Sequence, residues 1–301
     1  MAERDDVRRL VVGTAAIGLP YGLPAPGAAA PLLIDRTVAT TLIDAVASAG
    51  VGAFDTAPAY GEAEMRLGAA LGARGRVWTK LASAPAGVDL PDHIDRSLTH
   101  SCAALRRSRL DLVQWHNWTR ALAHDATWRG CWRALGDDPR VAQLGASTYG
   151  VDDAVAAVAS GLFTVVQVEF NLLNQAVVAA IADAARAAGV AIAVRSVLLQ
   201  GVLTDRATAL PPHLAALAEP AARARRIAES HRLDLATMAI RAALDHPAVS
   251  WVLIGLDGRA QLDQALAAAR AAPLDTARRR QLAALDLGGV AITDPRTWRA
   301  A

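Results

Sequence analysis

A short apolar run followed by a stretch whose apolar residues recur at three and four spacing appears eight times along the chain. Continuous β-branched runs bounded by Gly, Asp or Ser read as buried strands, and three-four spacing reads as amphipathic helix. The runs fall at 8–15, 52–55, 76–80, 110–115, 141–147, 163–170, 190–196 and 249–254. Helices are predicted at 35–48, 61–72, 92–107, 125–135, 152–160, 175–188, 213–231, 235–245, 260–271 and 275–285. The segment 21–34 is too rich in Pro and Gly for helix or strand and reads as a loop, and 198–213 is a second long connection. A parallel strand needs a helical crossover to reach its neighbour, so the alternation predicts an α/β fold, a (β/α)8 TIM barrel. The competing solution, an open doubly wound sheet, calls for a Gly-rich dinucleotide fingerprint after the first strand, which GTAAIG fits poorly.

Composition narrows the partners. A chain of 301 residues that is 53% hydrophobic can bury a large core, and barrels of this length fold as one domain, here 1–301. The apolar runs are broken well before the roughly 20 residues a bilayer requires. MAERDDVRRL, charged on both signs, lacks the apolar centre of a secretion signal, so a cytoplasmic protein without a membrane partner is expected. A formal net charge of +2 with no basic run interleaved with aromatics argues against nucleic acid. Cys102 and Cys131 fall in predicted helices without metal-ligand spacing, which predicts buried free thiols and no metal site.

Chemistry in such a barrel gathers where strands end and loops begin. Asp55 closes the second run and Tyr60 follows five positions later in VGAFDTAPAY; Lys80 closes RVWTK; His116 closes LDLVQWH. Singly, each has a plainer reading: Asp55 as a loop-capping carboxylate, Tyr60 as a packed ring, Lys80 as a solvated ammonium, His116 as a hydrogen-bonded structural imidazole. Together at three successive strand ends they form a set suited to carbonyl reduction. A carbonyl that accepts hydride leaves a developing alkoxide, and a phenol can protonate it if a neighbouring ammonium lowers the cost of the phenolate. A carboxylate would keep that ammonium charged in a buried site, and an imidazole would donate a hydrogen bond to the reacting oxygen.

The strings GTA at 13–15, FDTAPAYG, WTK, WH, QLGAS and VVQVEFN occur in one order over nearly the whole chain and resemble the aldo-keto reductase family. GTAAIGLPYG and RSVLLQG further resemble one bacterial branch of it. The resemblance implies NAD(P)H-dependent reduction of a small-molecule carbonyl, with Tyr60, Lys80, Asp55 and His116 as the catalytic set and NADPH as the cofactor, NADH being the alternative. By the same resemblance Ser147 and Gln167 hold the nicotinamide carboxamide, helped by Thr148 where the family has Asn. Gly13 and Thr14 would lie near the reactive end, Asp55 also close to the ribose, and Ser196 would be a further cofactor contact. Arg195 stands where many members stack a tyrosine on the nicotinamide; a guanidinium stacks too, and a salt-bridged strand-end residue is the other reading. Near the eighth run the family carries small polar and basic residues for the 2′-phosphate, whereas this chain reads LIGLDGRAQLDQAL. Gly255, Gln261 and Gln264 occupy the cofactor positions, and Arg259 is the candidate contact for the 2′-phosphate or the adenine. Tyr21, Trp118, Tyr149, Phe170 and Leu199 lie in loops after strands and are expected to line the substrate pocket. A nucleotide-binding regulatory barrel, reduction of a C=N bond, and a lyase or isomerase with a phosphate site remain as alternatives.

Overall fold

In a computed structural model that describes residues 5–24, 28, 30–85 and 87–298, each apolar run is a strand: β1 Leu10–Gly13, β2 Ala53–Asp55, β3 Val77–Leu81, β4 Leu112–Trp115, β5 Leu144–Ser147, β6 Val165–Glu169, β7 Ala191–Arg195 and β8 Val249–Gly255. They pair in sequence order, all parallel, and β8 pairs with β1 to close the barrel. Helices fill the crossovers, among them Arg36–Ser48, Leu90–Leu105 and Ala176–Ala188, and Arg259–Arg270 follows β8. Several strands are shorter than the sequence suggests. Arg8 and Arg9 belong to a helical turn, Asp6–Arg9, and Val141 makes only an isolated bridge with Leu110. Arg9 reaches across the β1–β8 seam to the carbonyls of Leu244 and Val249, at 2.8 and 2.7 Å. The 198–213 connection is a chain of 3-10 turns, and the helix expected from 213 begins at Ala218. Within the 21–34 loop, residues 25–27 and 29 lie outside the described residues, as do the first four residues of the N-terminal segment.

Strand side chains alternate between the barrel interior and the helix layer. The outward set, including Val12, Phe54, Val113, Val166 and Ile254, packs with helix residues such as Leu42, Ile43, Leu67 and Ile181. The inward set begins with a separate apolar layer: Val11, Ala53, Trp78, Leu112, Val165, Ala193 and Leu253. Two residues further along, the same parity delivers Gly13, Asp55, Lys80, Gln114, Gln167, Arg195 and Gly255. The barrel is thus dry at one level and polar at the next, and that step in polarity sets the depth of the site. Gly145 on β5 makes room for it: a Cβ there would meet Gln114 Cγ at 3.1 Å and the Val165 carbonyl oxygen at 2.9 Å.

The Tyr60 turn is placed by a backbone-to-backbone contact. A Cβ on Gly18, at the end of the helical turn Ala15–Gly18, would lie 1.8 Å from the Tyr60 carbonyl oxygen and 2.4 Å from the Ala63 nitrogen. The Glu62 N–H donates to the Gly18 carbonyl at 3.3 Å, and Gly61 turns the chain there with φ 59°. The glycine of GTAAIG therefore serves packing against the Tyr60 turn. Gly18→Ala is expected to cost about 1–3 kcal/mol in urea unfolding, the usual range for overpacking a tight contact. Unchanged stability would show that the turn is not seated on this helix.

Candidate active site

Lys80, inward on β3, is 1% exposed, and its Nζ donates to Asp55 Oδ2 at 2.5 Å and to the Thr56 carbonyl at 2.9 Å. Asp55, itself 3% exposed, also accepts at Oδ1 from Gln114 Nε2 at 2.9 Å and from Gln167 Nε2 at 3.0 Å. Gln167 Nε2 further donates to Gln114 Oε1 at 3.1 Å, so the two amides and the ion pair form one network across β2, β3, β4 and β6. Such saturation is what a buried pair requires, because charges taken out of water are tolerated only with their remaining hydrogen-bonding capacity filled.

Tyr60 and His116 stand over this network. Lys80 Nζ lies 4.9 Å from the centre of the Tyr60 ring, and the Tyr60 and His116 rings meet edge-on at 6.0 Å. Burial works against the Lys80 ammonium, yet the charges and hydrogen bonds of Asp55 and Tyr60 together outweigh it and hold the group above the ordinary lysine range. Burial pushes the Tyr60 phenol up; the Lys80 charge pulls it down but does not cancel the rise. Burial, then the positive charges of Lys80 and Arg195, lower His116 to about 3. At neutral pH the site therefore presents a protonated phenol, a charged ammonium and a neutral imidazole. A neutral imidazole donates a hydrogen bond without carrying charge, and a phenol next to an ammonium can yield its proton as charge develops on a bound oxygen.

The family model described as the aldo/keto reductase family matches residues 9–286. The chain belongs to the aldo/keto reductase family. Membership makes it an oxidoreductase of carbonyl compounds that uses a nicotinamide cofactor. Among solved structures it is similar to an aldo-keto reductase from Bacillus halodurans in holo form, with TM-score 0.77 at 20% identity over 92% of this chain and 91% of that one. It is similar also to a glycerol dehydrogenase from Gluconobacter oxydans, with TM-score 0.71 at 21% identity over 92% and 90% of the two chains. A putative aldo-keto reductase from Pseudomonas aeruginosa aligns with TM-score 0.62 at 22% identity over 87% and 89%. At these identities the likeness speaks to the fold. No curated protein matches the chain in sequence.

The reductase barrel brings some of the expected residues together and sends others elsewhere. The Thr14 hydroxyl is spent on the Asp55 carbonyl at 3.1 Å. Ser147 is buried beside Gln167 in the β5–β6 register, but the Gln167 amide nitrogen serves Asp55 and Gln114. Thr148 Oγ1 and Arg195 Nε are buried without a protein partner, which suits polar groups that a ligand satisfies. Arg195 stacks on Tyr149 with its guanidinium carbon 3.8 Å from the ring centre, donates to the Thr148 carbonyl at 2.6 Å, and lies 3.5 Å from Glu169. Ser196, Gly255, Gln261 and Gln264 line a cavity of about 350 Å3, together with Tyr21 and Leu199. Tyr21 and Leu199 thus join the cofactor positions here. Arg259 does not line this cavity; it is exposed and bonds Asp263 at 2.8 Å, one helical turn on, and Arg206 is the cation found there. Trp118 is fully buried, edge-on to Phe163 at 5.5 Å within a cluster with Trp115, Trp128 and Trp132, and Phe170 is buried against His246 at 5.6 Å. Both rings pack in the core. Cys102 and Cys131 are free but only half-buried.

Three contributors escaped the sequence. Gln114 lies inside an apolar run, and counting two back from His116 would have found it. Glu169 is paired with Arg195 in the β6–β7 register and accepts the Gly150 N–H at 2.8 Å. Arg296 stacks on the other contact of Tyr149 at 3.4 Å from a segment beyond the family match, and no local signal announces it. The ion pair yields a stability test. Lys80→Met leaves Asp55 buried and unpaired and should cost about 3–5 kcal/mol in denaturant unfolding, with part recovered in the Asp55→Asn/Lys80→Met double variant. A single variant within 1 kcal/mol of the parent would contradict a desolvated pair.

Proposed function

We propose that the protein reduces an aldehyde or ketone to the alcohol, with Tyr60 as the proton donor. The observation that carries this is the placing of Tyr60 and His116 above a buried, fully hydrogen-bonded Asp55–Lys80 pair. A reduced nicotinamide, when bound, supplies hydride to the carbonyl carbon. The free Thr148 hydroxyl and the Arg195 Nε are the donors this chain offers to the carboxamide, beside Ser147. His116, neutral, donates to the carbonyl oxygen and orients it toward the phenol. Tyr60 transfers its proton to that oxygen as negative charge builds there. Lys80 stabilises the phenolate left behind, and Asp55, steadied by Gln114 and Gln167, keeps Lys80 charged and in place. In the oxidative direction the same groups run in reverse, with the phenolate as base.

Two features keep water from the reacting oxygen. The apolar layer of Trp78, Leu112 and Leu253 closes the barrel beneath the polar level. Tyr149, stacked by Arg195 and Arg296, stands close enough to Tyr60 to act on its phenol and is the second of these features. Tyr60→Phe removes the acid and leaves the ring. Its turnover on an aldehyde and ketone panel is expected to fall by about 100-fold or more, the usual contribution of a positioned acid, with nucleotide affinity retained. Turnover at the parent rate would remove Tyr60 from the proton-transfer step.

A further inference from the structure

The cavity beside the catalytic network runs from Ser196 and Leu199 to the start of the helix Arg259–Arg270, and it is lined by the positions that the family resemblance assigns to the cofactor, Ser196, Gly255, Gln261 and Gln264. Its charged lining is Asp205, Arg206, Asp234 and Asp257: three carboxylates and one guanidinium. Arg206 is ion-paired with Asp257 and donates to the Leu23 carbonyl at 3.0 Å. The Asp257 N–H faces Gln261 Oε1 at 3.3 Å, which occupies one of the backbone donors at this helix start. Gln264 Nε2 is bonded to Asp234 at 2.7 Å. Arg259 points away to Asp263.

From these contacts we infer that the chain takes the unphosphorylated dinucleotide, NADH and NAD+, and that Asp257 determines this choice. The inference rests on the proposed function, since it concerns the cofactor of that site. A ribose hydroxyl is a donor, and a carboxylate is acceptor-only, so Asp257 is matched to a free 2′-hydroxyl. A 2′-phosphate carries a charge of about −1.5 to −2 near neutrality and offers acceptors alone. To enter, it would have to approach the Asp257 carboxylate and compete with it for Arg206, the one cation among the described residues of the cavity lining. The glutamines at 261 and 264 add no positive charge, and both are engaged with neighbours. The resemblance led to the opposite expectation, NADPH through Arg259; the structure turns that arginine outward and puts a carboxylate at the cavity instead.

The test is titration of intrinsic fluorescence, for which the chain holds seven tryptophans, with NADH and with NADPH at fixed ionic strength. The parent is expected to bind NADH at least tenfold more tightly than NADPH. Asp257→Asn keeps the shape and removes the charge, and Asp257→Ser also frees Arg206; both should narrow the gap, the serine variant most, chiefly through tighter NADPH binding. Equal or tighter binding of NADPH by the parent overturns the inference and leaves the reductase reading standing. A gap that neither variant changes removes Asp257 from the choice. Binding of neither nucleotide overturns the reductase reading itself, and the inference with it.

Discussion

The Asp55–Lys80 ion pair is the interaction on which the rest of the molecule depends. Two charges at 1% and 3% exposure are costly unless their hydrogen-bonding capacity is filled, and here four strands contribute to filling it. The barrel supplies the means. Its inward parity sets an apolar layer below and a polar layer above, so β2, β3, β4 and β6 each deliver one side chain to the network at nearly the same depth. Gly145 leaves the space that Gln114 needs, and Gly18 lets the Tyr60 turn close down over the pair. The packing of the fold and the polarity of the site are therefore one arrangement seen from two sides.

The electrostatics follow from that arrangement. With Asp55 committed to Lys80, the ammonium persists in a buried place, and its field lowers both groups above it, against burial at the phenol and with burial at the imidazole. It partly offsets the burial of the Tyr60 phenol, and it deepens the depression of His116 toward about 3. The result is a division of labour: a phenol that gives a proton only when charge appears on a partner, and an imidazole that remains a neutral donor. Arg195 belongs to the same balance, since it adds to the lowering of His116 while its own side chain bridges Thr148, Tyr149 and Glu169.

Much of this was legible in the chain. Strand and helix periods are local, so the barrel could be read from spacing, and acid, phenol, ammonium and imidazole stood at strand ends where loops begin. What escaped depended on long-range neighbours. Gln114 looked like one polar residue in an apolar run because only the closed barrel shows which parity faces inward. Trp118 looked like a mouth residue from its loop position, yet Trp128 and Phe163 gather it into the core. Arg259 was the nearest cation by sequence, but an i,i+4 carboxylate claims it, whereas Arg206 arrives from the connection after β7. Gly18 carried no reading of its own in the sequence, and only the Tyr60 carbonyl above it explains why a side chain is excluded.

The Tyr60 phenol and the Lys80 ammonium are close neighbours in a buried site. The chain has three tyrosines, so 13C labelling of the phenolic carbons gives signals that can be assigned individually. A pH titration followed by NMR is predicted to show Tyr60 protonated past its ordinary value of 10.0, and to show its titration moving higher still in Lys80→Met. A Tyr60 signal that titrates below that value, or that is indifferent to the loss of Lys80, would contradict the account.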